Sequence, residues 1–111
     1  MDLANYSSFE SLDIRVGTIV DAQDLEIAEK PAFKLIIDFG NKLGHLQSSA
    51  QLTEVYSAEA LVDKQILAVV NFPPKQIANF ISQCLVLGVY SKDGVVLLST
   101  ERPCENGDKL G

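Results

Sequence analysis

Ile66-Leu67-Ala68-Val69-Val70 is a strand with no polar face, and it runs directly into Asn71-Phe72-Pro73-Pro74. Ile66, Ala68 and Val70 fall on one side of an extended chain, Leu67 and Val69 on the other. Such a strand needs cover on both sides. The paired prolines then end sheet pairing and fix the chain in an extended path. A polar segment carrying one lysine, Lys75, follows, and a second apolar run begins near Cys84. A polar turn mounted between two buried strands is a rigid loop of the kind that carries binding groups. The remainder of the chain reads as the scaffold for this turn and for a second polar stretch, Gln47-Ser48-Ser49-Ala50-Gln51.

The scaffold is read from periodicity. Ser7-Ser8-Phe9-Glu10 has capping-box spacing, which predicts a short helix from Ser7 to about Leu12. From Asp13 the period becomes two. Ile14, Val16, Val20 and Ala22 share one face of a strand, and Ile19 is expected to point outward. Asp24 to Pro31 is acidic and ends in proline, so it reads as a loop. Phe33, Leu35, Ile37 and Phe39 alternate with Lys34, Ile36 and Asp38 in a second strand. After the turn Gly40–Gly44 a short third strand starts at His45. Leu52, Val55 and Tyr56 have helical spacing, and Ser57 to Asp63 is a turn-rich connection with Leu61 and Val62 facing inward. Gln65–Asn71 and Cys84–Tyr90 are strands four and five. Asp93-Gly94 marks a hairpin turn before Val95–Ser99. Arg102 to Gly111 reads as an extended edge segment.

Six short strands with brief helical insertions describe an all-β chain, a small barrel or sandwich. A chain of 111 residues is one domain, and it buries enough surface for a core without disulfide or metal. Ile19, Ile36, Leu67 and Val69 are apolar residues in excess of one core face. They are expected to mark a dimer interface, the other reading being cover from the N-terminal helix and the tail.

The chemistry-bearing residues are few. His45 is the only histidine, and Cys84 and Cys104 are the only cysteines. Three or four closely spaced ligands, as a zinc site requires, are not available. The cysteines read as a buried strand thiol and an incidental one near the C-terminus. No glycine-rich phosphate loop and no credible catalytic constellation is present, so neither catalysis nor a cofactor is expected. No apolar run reaches the length of a membrane span, and the N-terminus lacks the pattern of a signal peptide, so a cytoplasmic protein without membrane insertion is expected.

What remains is binding. Ser48, Ser49, Gln51, Asn71 and Ser82 supply hydroxyls and amides, and Lys75 supplies a cation. Such groups suit base edges and phosphates, and they equally suit a peptide backbone. The formal net charge of −6 requires that any nucleic-acid site gather its lysines locally.

Five stretches carry a family resemblance. They are Leu12-Asp13-Ile14-Arg15-Val16-Gly17-Thr18-Ile19-Val20, Lys34-Leu35-Ile36-Ile37-Asp38-Phe39-Gly40, Gln47-Ser48-Ser49-Ala50-Gln51, Val69-Val70-Asn71-Phe72-Pro73-Pro74 and Leu85-Val86-Leu87-Gly88. In this combination the sequence resembles the CsaA family, export-related chaperone-like proteins built on a tRNA-binding OB-fold domain. The resemblance implies a five-stranded Greek-key OB barrel over residues 13–111, with short flanking helices and a helical extension over residues 1–12. It also implies a homodimer. tRNA is the expected partner, with Ser48, Ser49, Gln51, Asn71, Lys75 and Ser82 as nucleic-acid-binding residues. Unfolded or exported polypeptides, held in apolar cavities of the dimer, are the alternative partner. The family pattern carries basic residues at the positions held here by Gln76 and Ile81. The wider tRNA-binding domain has Ser-x-Gly-Met where this chain has Ser82-Gln83-Cys84-Leu85.

Overall fold

The structure, a computed structural model, describes residues 1–27 and 30–111. Its centre is a five-stranded antiparallel sheet. Strands β1 (Ile14–Ile27), β2 (Lys30–Asp38) and β3 (His45–Ala50) form a meander, and β4 (Gln65–Val69) returns to pair with the first half of β1. A short strand, Leu85–Val86, borders β4, so the order is β3-β2-β1-β4-β7 once the hairpin β5 (Lys75–Ile77) and β6 (Phe80–Ser82) is counted in chain order before β7 (Leu85–Val86). A last hairpin joins β8 (Gly88–Ser91) to β9 (Gly94–Leu97).

The core lies on the sheet face that carries Ile19, Phe33, Leu35, Ile37, Phe39, Ile66 and Ala68, closed by Leu52, Leu61 and Cys84. The alternation of β2 forms as expected: Phe33, Leu35 and Ile37 are buried, and Lys34, Ile36 and Asp38 are half-buried on the other face. β1 departs from its expected phase. Ile19 is fully buried on the same side as Gly17 and Val20 is exposed, and the register then slips between Ile19 and Asp21. This bulge takes up one residue and puts Ile19 and Ala22, three apart, on the core side. A strict period of two cannot show such a slip.

Gly17 lies on the same core-facing side, in a space made for hydrogen. A Cβ there would sit 2.6 Å from Cγ2 of Ile37 and 2.7 Å from the Phe39 ring. Beyond Thr18, β2 no longer borders β1, and the C-terminal tail takes its place. Gly107 N–H donates to Val16 O, Val16 N–H to Asp108 O, and Leu110 N–H to Ile14 O. The tail is thus the edge segment expected of it, and Arg15 fastens it through Gly107 O at 3.0 Å.

Other expectations are corrected. Asp24 to Pro31 is not a loop at its described positions: Asp24, Leu25, Glu26 and Ile27 pair with Phe33, Ala32, Pro31 and Lys30, so the hairpin runs on past the acidic residues. The remainder of that stretch, positions 28 and 29, lies outside the described residues. The helix near the N-terminus, α1 (Tyr6–Glu10), starts ahead of Ser7, has Asn5 at its N-cap and uses no side-chain cap. Ser57 instead caps a one-turn helix, α2 (Ala58–Leu61), accepting from Ala60 N–H at 3.2 Å. Leu61 is buried, but Val62 faces solvent. Strand five is broken at Leu87, with its two halves given to different partners, β4 and β9. The polar segment after the double proline is itself a hairpin, turning at Ala78-Asn79. Of the four surplus apolar residues, Ile19 and Val69 are already covered within one chain, which removes them from any dimer surface. Ile36 and Leu67 are half-buried.

Candidate nucleic-acid interface

β3 and the β5–β6 hairpin converge by side-chain chemistry that both stretches carry. Gln83 N–H donates to Gln47 O at 2.8 Å, and Gln47 N–H donates to the Gln83 side-chain oxygen at 3.0 Å. The Gln47 amide nitrogen donates to Ile81 O at 2.7 Å. Ser49 N–H reaches the Ser82 hydroxyl at 3.3 Å. The two polar stretches, separated by more than thirty positions in the chain, therefore meet as one surface.

A cavity of about 390 Å³ opens at this junction, lined by Ser49, Phe72, Pro73, Lys75, Ile77, Ser82, Gln83, Cys84 and Leu85. Its walls are mostly apolar, with a few polar groups at fixed places, the usual make-up of a small-ligand site. Three of the six expected site residues, Ser49, Lys75 and Ser82, stand in this lining. Pairing places Lys34 beside Ser49 and Lys75 beside Ser82. A row Lys34, Ser49, Ser82, Lys75 thus crosses the junction, with one ammonium at each end. Lys34 is held over the Phe80 ring at 5.9 Å from its centroid, a cation–π contact that steadies its otherwise mobile stem. Among the described residues neither lysine has a carboxylate within ion-pair distance.

The other three residues have different surroundings. Ser48 faces the core opposite Leu35, is 1% exposed, and its hydroxyl donates to Ser49 O at 3.0 Å. Asn71 is exposed, but both ends of its amide are engaged: its oxygen accepts from Asp13 N–H at 2.9 Å and its nitrogen donates to Ser11 O at 2.8 Å. Asn71 thereby ties the segment before β1 to the end of β4, immediately ahead of the Phe72 and Pro73 wall. Gln51 is exposed just past β3 and does not line the cavity.

Ser82 is buried beneath the cavity. Its hydroxyl donates to Cys84 O at 3.1 Å and approaches the Ser48 hydroxyl at 3.4 Å. Burial pushes the Cys84 thiol up to about 12, against a small opposing effect of a hydrogen bond with Ser48. At neutral pH it is an uncharged thiol that packs as an apolar group. Sequence reasoning did not select Phe72, Gln83 or Leu85. The signal for Phe72 was present: a large aromatic between an asparagine and a proline pair, where a strand has ended, has no sheet face to pack on. Phe72 is 43% and Leu85 49% exposed.

A larger and more open groove, about 1000 Å³, lies by the far end of the β1–β2 hairpin. Asp24, Glu26 and Glu59 line it against the single cation Lys30, a charge balance that repels phosphate. His45 is exposed, 4.0 Å from Asp38. Among the described residues no group of three or more histidine, cysteine or acidic side chains could hold a metal ion, and no helix is long and apolar enough to cross a membrane.

Residues 14–109 match the family model of the tRNA binding domain. The chain superposes on the crystal structure of the CsaA chaperone protein from Picrophilus torridus with a TM-score of 0.94 at 51% identity, covering 98% of this chain and all of that one. For chaperone CsaA from Bacillus anthracis strain Ames the TM-score is 0.93 at 48% identity, covering 99% of this chain and all of the other. Among curated proteins, the methionine–tRNA ligase of Methanococcoides burtonii is 35% identical over 107 residues, 96% of this chain. That of Nanoarchaeum equitans is 32% identical over 108 residues, 97% of this chain. The chain spans only 14% and 15% of the length of those two ligases, so the likeness is to one segment of them.

Proposed function

The chain belongs to the tRNA binding domain family, and on that premise we propose that it is a non-catalytic, cytoplasmic tRNA-binding module of the CsaA type. Its fold is an OB barrel over residues 13–111 with a helical extension over residues 1–12. The bonds between β3 and Gln83 support closure of the sheet into that barrel, as does the likeness to the CsaA structures. It works as a homodimer. The N-terminal segment supports this: α1 buries no residue, and Leu3, Tyr6 and Phe9 are left to solvent.

One observation carries the binding function: the row Lys34, Ser49, Ser82, Lys75 gathers two cations, Lys75 in the cavity lining and Lys34 paired with Ser49, where the two polar stretches meet on an otherwise acidic protein. Phosphate contacts at that site release counterions on binding, so affinity falls with salt. The test is fluorescence anisotropy of labelled bulk tRNA against salt concentration. Lys75→Glu lowers the affinity and reduces the slope of log affinity against log salt by about one. Absence of binding by the unaltered protein at about 10 µM and low salt, stronger than the typical weak end of non-specific affinity, overturns the reading.

A second reading, capture of unfolded or exported polypeptides, is favoured by one specific feature. Phe72, Ile81 and Leu85 expose apolar surface around the cavity and its hairpin. Suppression of aggregation of a denatured client is its measurement. That suppression is insensitive to salt because apolar contact is not screened, and aggregation that proceeds unchanged with the protein in excess ends it.

A further inference from the structure

Phosphate contacts account for Lys34 and Lys75 but leave the cavity between them unexplained. Its volume of about 390 Å³ lies at the lower end of the range of roughly 300–1,000 Å³ for small-molecule sites. A phosphate has no use for walls made of Phe72, Pro73 and Leu85. An apolar recess beside a phosphate-attracting lysine fits the other half of a nucleotide. Bases in single-stranded regions are splayed out and stacked on aromatic side chains.

The polar groups restrict the ligand further. The Gln83 side-chain oxygen is occupied by Gln47 N–H at 3.0 Å. That bond fixes the amide orientation and leaves its NH₂ as a donor without a protein acceptor among the described residues. The Ser49 hydroxyl likewise has no protein partner among them, whereas the Ser82 hydroxyl beneath is committed to Cys84 O and Ser49 N–H. The lining therefore offers an amide donor, one hydroxyl and one ammonium. The amide NH₂ is a donor only and the hydroxyl can donate beside it, so a keto oxygen, which accepts twice, uses the pair better than an adenine edge, where each ring acceptor stands next to an amino donor.

We propose that this cavity is a subsite for one unstacked nucleobase bearing a keto oxygen, stacked against Phe72 with Leu85 opposing. Gln83 and Ser49 hydrogen-bond its edge, and Lys75 attracts the adjoining phosphate. The subsite deepens the tRNA reading and rests on it for its biological ligand, yet it can be tested without tRNA.

The experiment compares three pentanucleotide probes of equal charge by anisotropy at fixed salt: uridine pentamer, adenosine pentamer and an abasic pentamer. Labelled tRNA is titrated in parallel. The uridine pentamer is expected to bind at least tenfold more tightly than the abasic one and several-fold more tightly than the adenosine one. Phe72→Ala lowers uridine-pentamer affinity by about five- to a hundred-fold, the range seen when a stacked base loses its aromatic platform, without changing the salt slope. Phe72→Trp retains binding, which separates loss of stacking from loss of fold. Leu85→Ala, at another exposed wall residue, lowers affinity in the same sense. Lys75→Gln changes the salt slope instead.

Equal binding of uridine and abasic probes overturns the subsite, as does uridine binding that Phe72→Ala leaves unaltered. Tighter binding of the adenosine than of the uridine pentamer overturns the keto specificity and with it the proposal. If tRNA binds while the base makes no difference, the subsite fails and the tRNA reading stands. If tRNA does not bind while base-dependent pentamer binding persists, the subsite stands and the tRNA reading fails.

Discussion

The β1–β2–β3 meander and the β5–β6 hairpin are both antiparallel ladders, yet they are held by different forces. The meander is fixed by side chains that share one dry face: Ile19, Leu35 and Ile37 have no measurable exposure, and Phe39 has 1%. Interiors of this kind are packed to crystal density and tolerate little change in volume. The hairpin carries mostly exposed residues, with Phe80 and Ser82 buried. It is fastened to the sheet by polar bonds through Gln47, Ser49 and Ser82. The expected lesson is a division of labour. Substitutions at the buried core positions of the meander change stability, and those at exposed hairpin positions such as Lys75 change binding at little cost to the fold.

The largest effects that test this division lie in the meander. Leu35→Ala removes a fully buried side chain and is expected to lower unfolding stability by about 2–5 kcal/mol, read as a shift of the urea midpoint. An effect below 1 kcal/mol means that the core has collapsed around the loss and that the contrast with the hairpin is weak. Gly17→Ala follows, at about 1–3 kcal/mol, because the added methyl meets Ile37 and Phe39 at 2.6–2.8 Å. A neutral result shows that β1 can move away from β2, which a rigid meander forbids.

Asn71→Ala tests the boundary between the two regions. It removes two hydrogen bonds to the segment ahead of β1, and at a net contribution of about 0.5–1.5 kcal/mol for each bond the total loss is about 1–3 kcal/mol. Residues 1–12 then become readily cleaved in limited proteolysis. tRNA affinity falls less than in Lys75→Glu, because Asn71 positions the chain leading to Phe72 and carries no charge. An affinity loss equal to that of Lys75→Glu, with proteolysis unchanged, assigns Asn71 to direct contact instead.

The same contrast explains what was legible in the sequence. β2 was readable because its alternation is regular and one face is fully buried, so every residue obeys a single constraint. β1 is read in the opposite phase up to Val20: Ile14 and Val16 are buried on the face away from Ile19, opposite Val69 and Leu67, and a bulge near Val20, which leaves no mark in composition, then brings Ala22 to the core side. The site was half legible. Ser49, Lys75 and Ser82 stood out by residue type and do meet. Ser48 and Asn71, a hydroxyl and an amide, stood out in the same way, but tertiary structure commits the one to the core side and the other to a backbone clamp. Residue type states what a group can bond to, and the fold alone decides which bonds are already made. Phe72 and Leu85 were passed over for the converse reason. Apolar residues next to strands are assigned by default to a core, and only a three-dimensional surface shows them bordering a cavity.

The smallest expected effect is the most discriminating. Ala78 turns the hairpin with φ at +55°, a left-handed conformation costing about 1–2 kcal/mol for a residue with a Cβ. Ala78→Gly relieves that strain and returns part of the gain, about 0.5–1 kcal/mol, as extra freedom of the unfolded chain. The net stabilisation is about 0.5–1 kcal/mol. Where this small gain is seen distinguishes two descriptions of the molecule. If the hairpin opens on its own, below global unfolding, hydrogen exchange across residues 75–82 slows a few-fold and keeps a smaller opening free energy and a shallower urea dependence than that of Leu35 and Ile37. If hairpin and meander unfold as one unit, both regions share one opening free energy and one urea dependence, and both slow together. The first outcome is expected, because the hairpin's attachments to the sheet are side-chain hydrogen bonds near the surface, whereas the meander's strands cannot separate without exposing Leu35, Ile37 and Phe39 together.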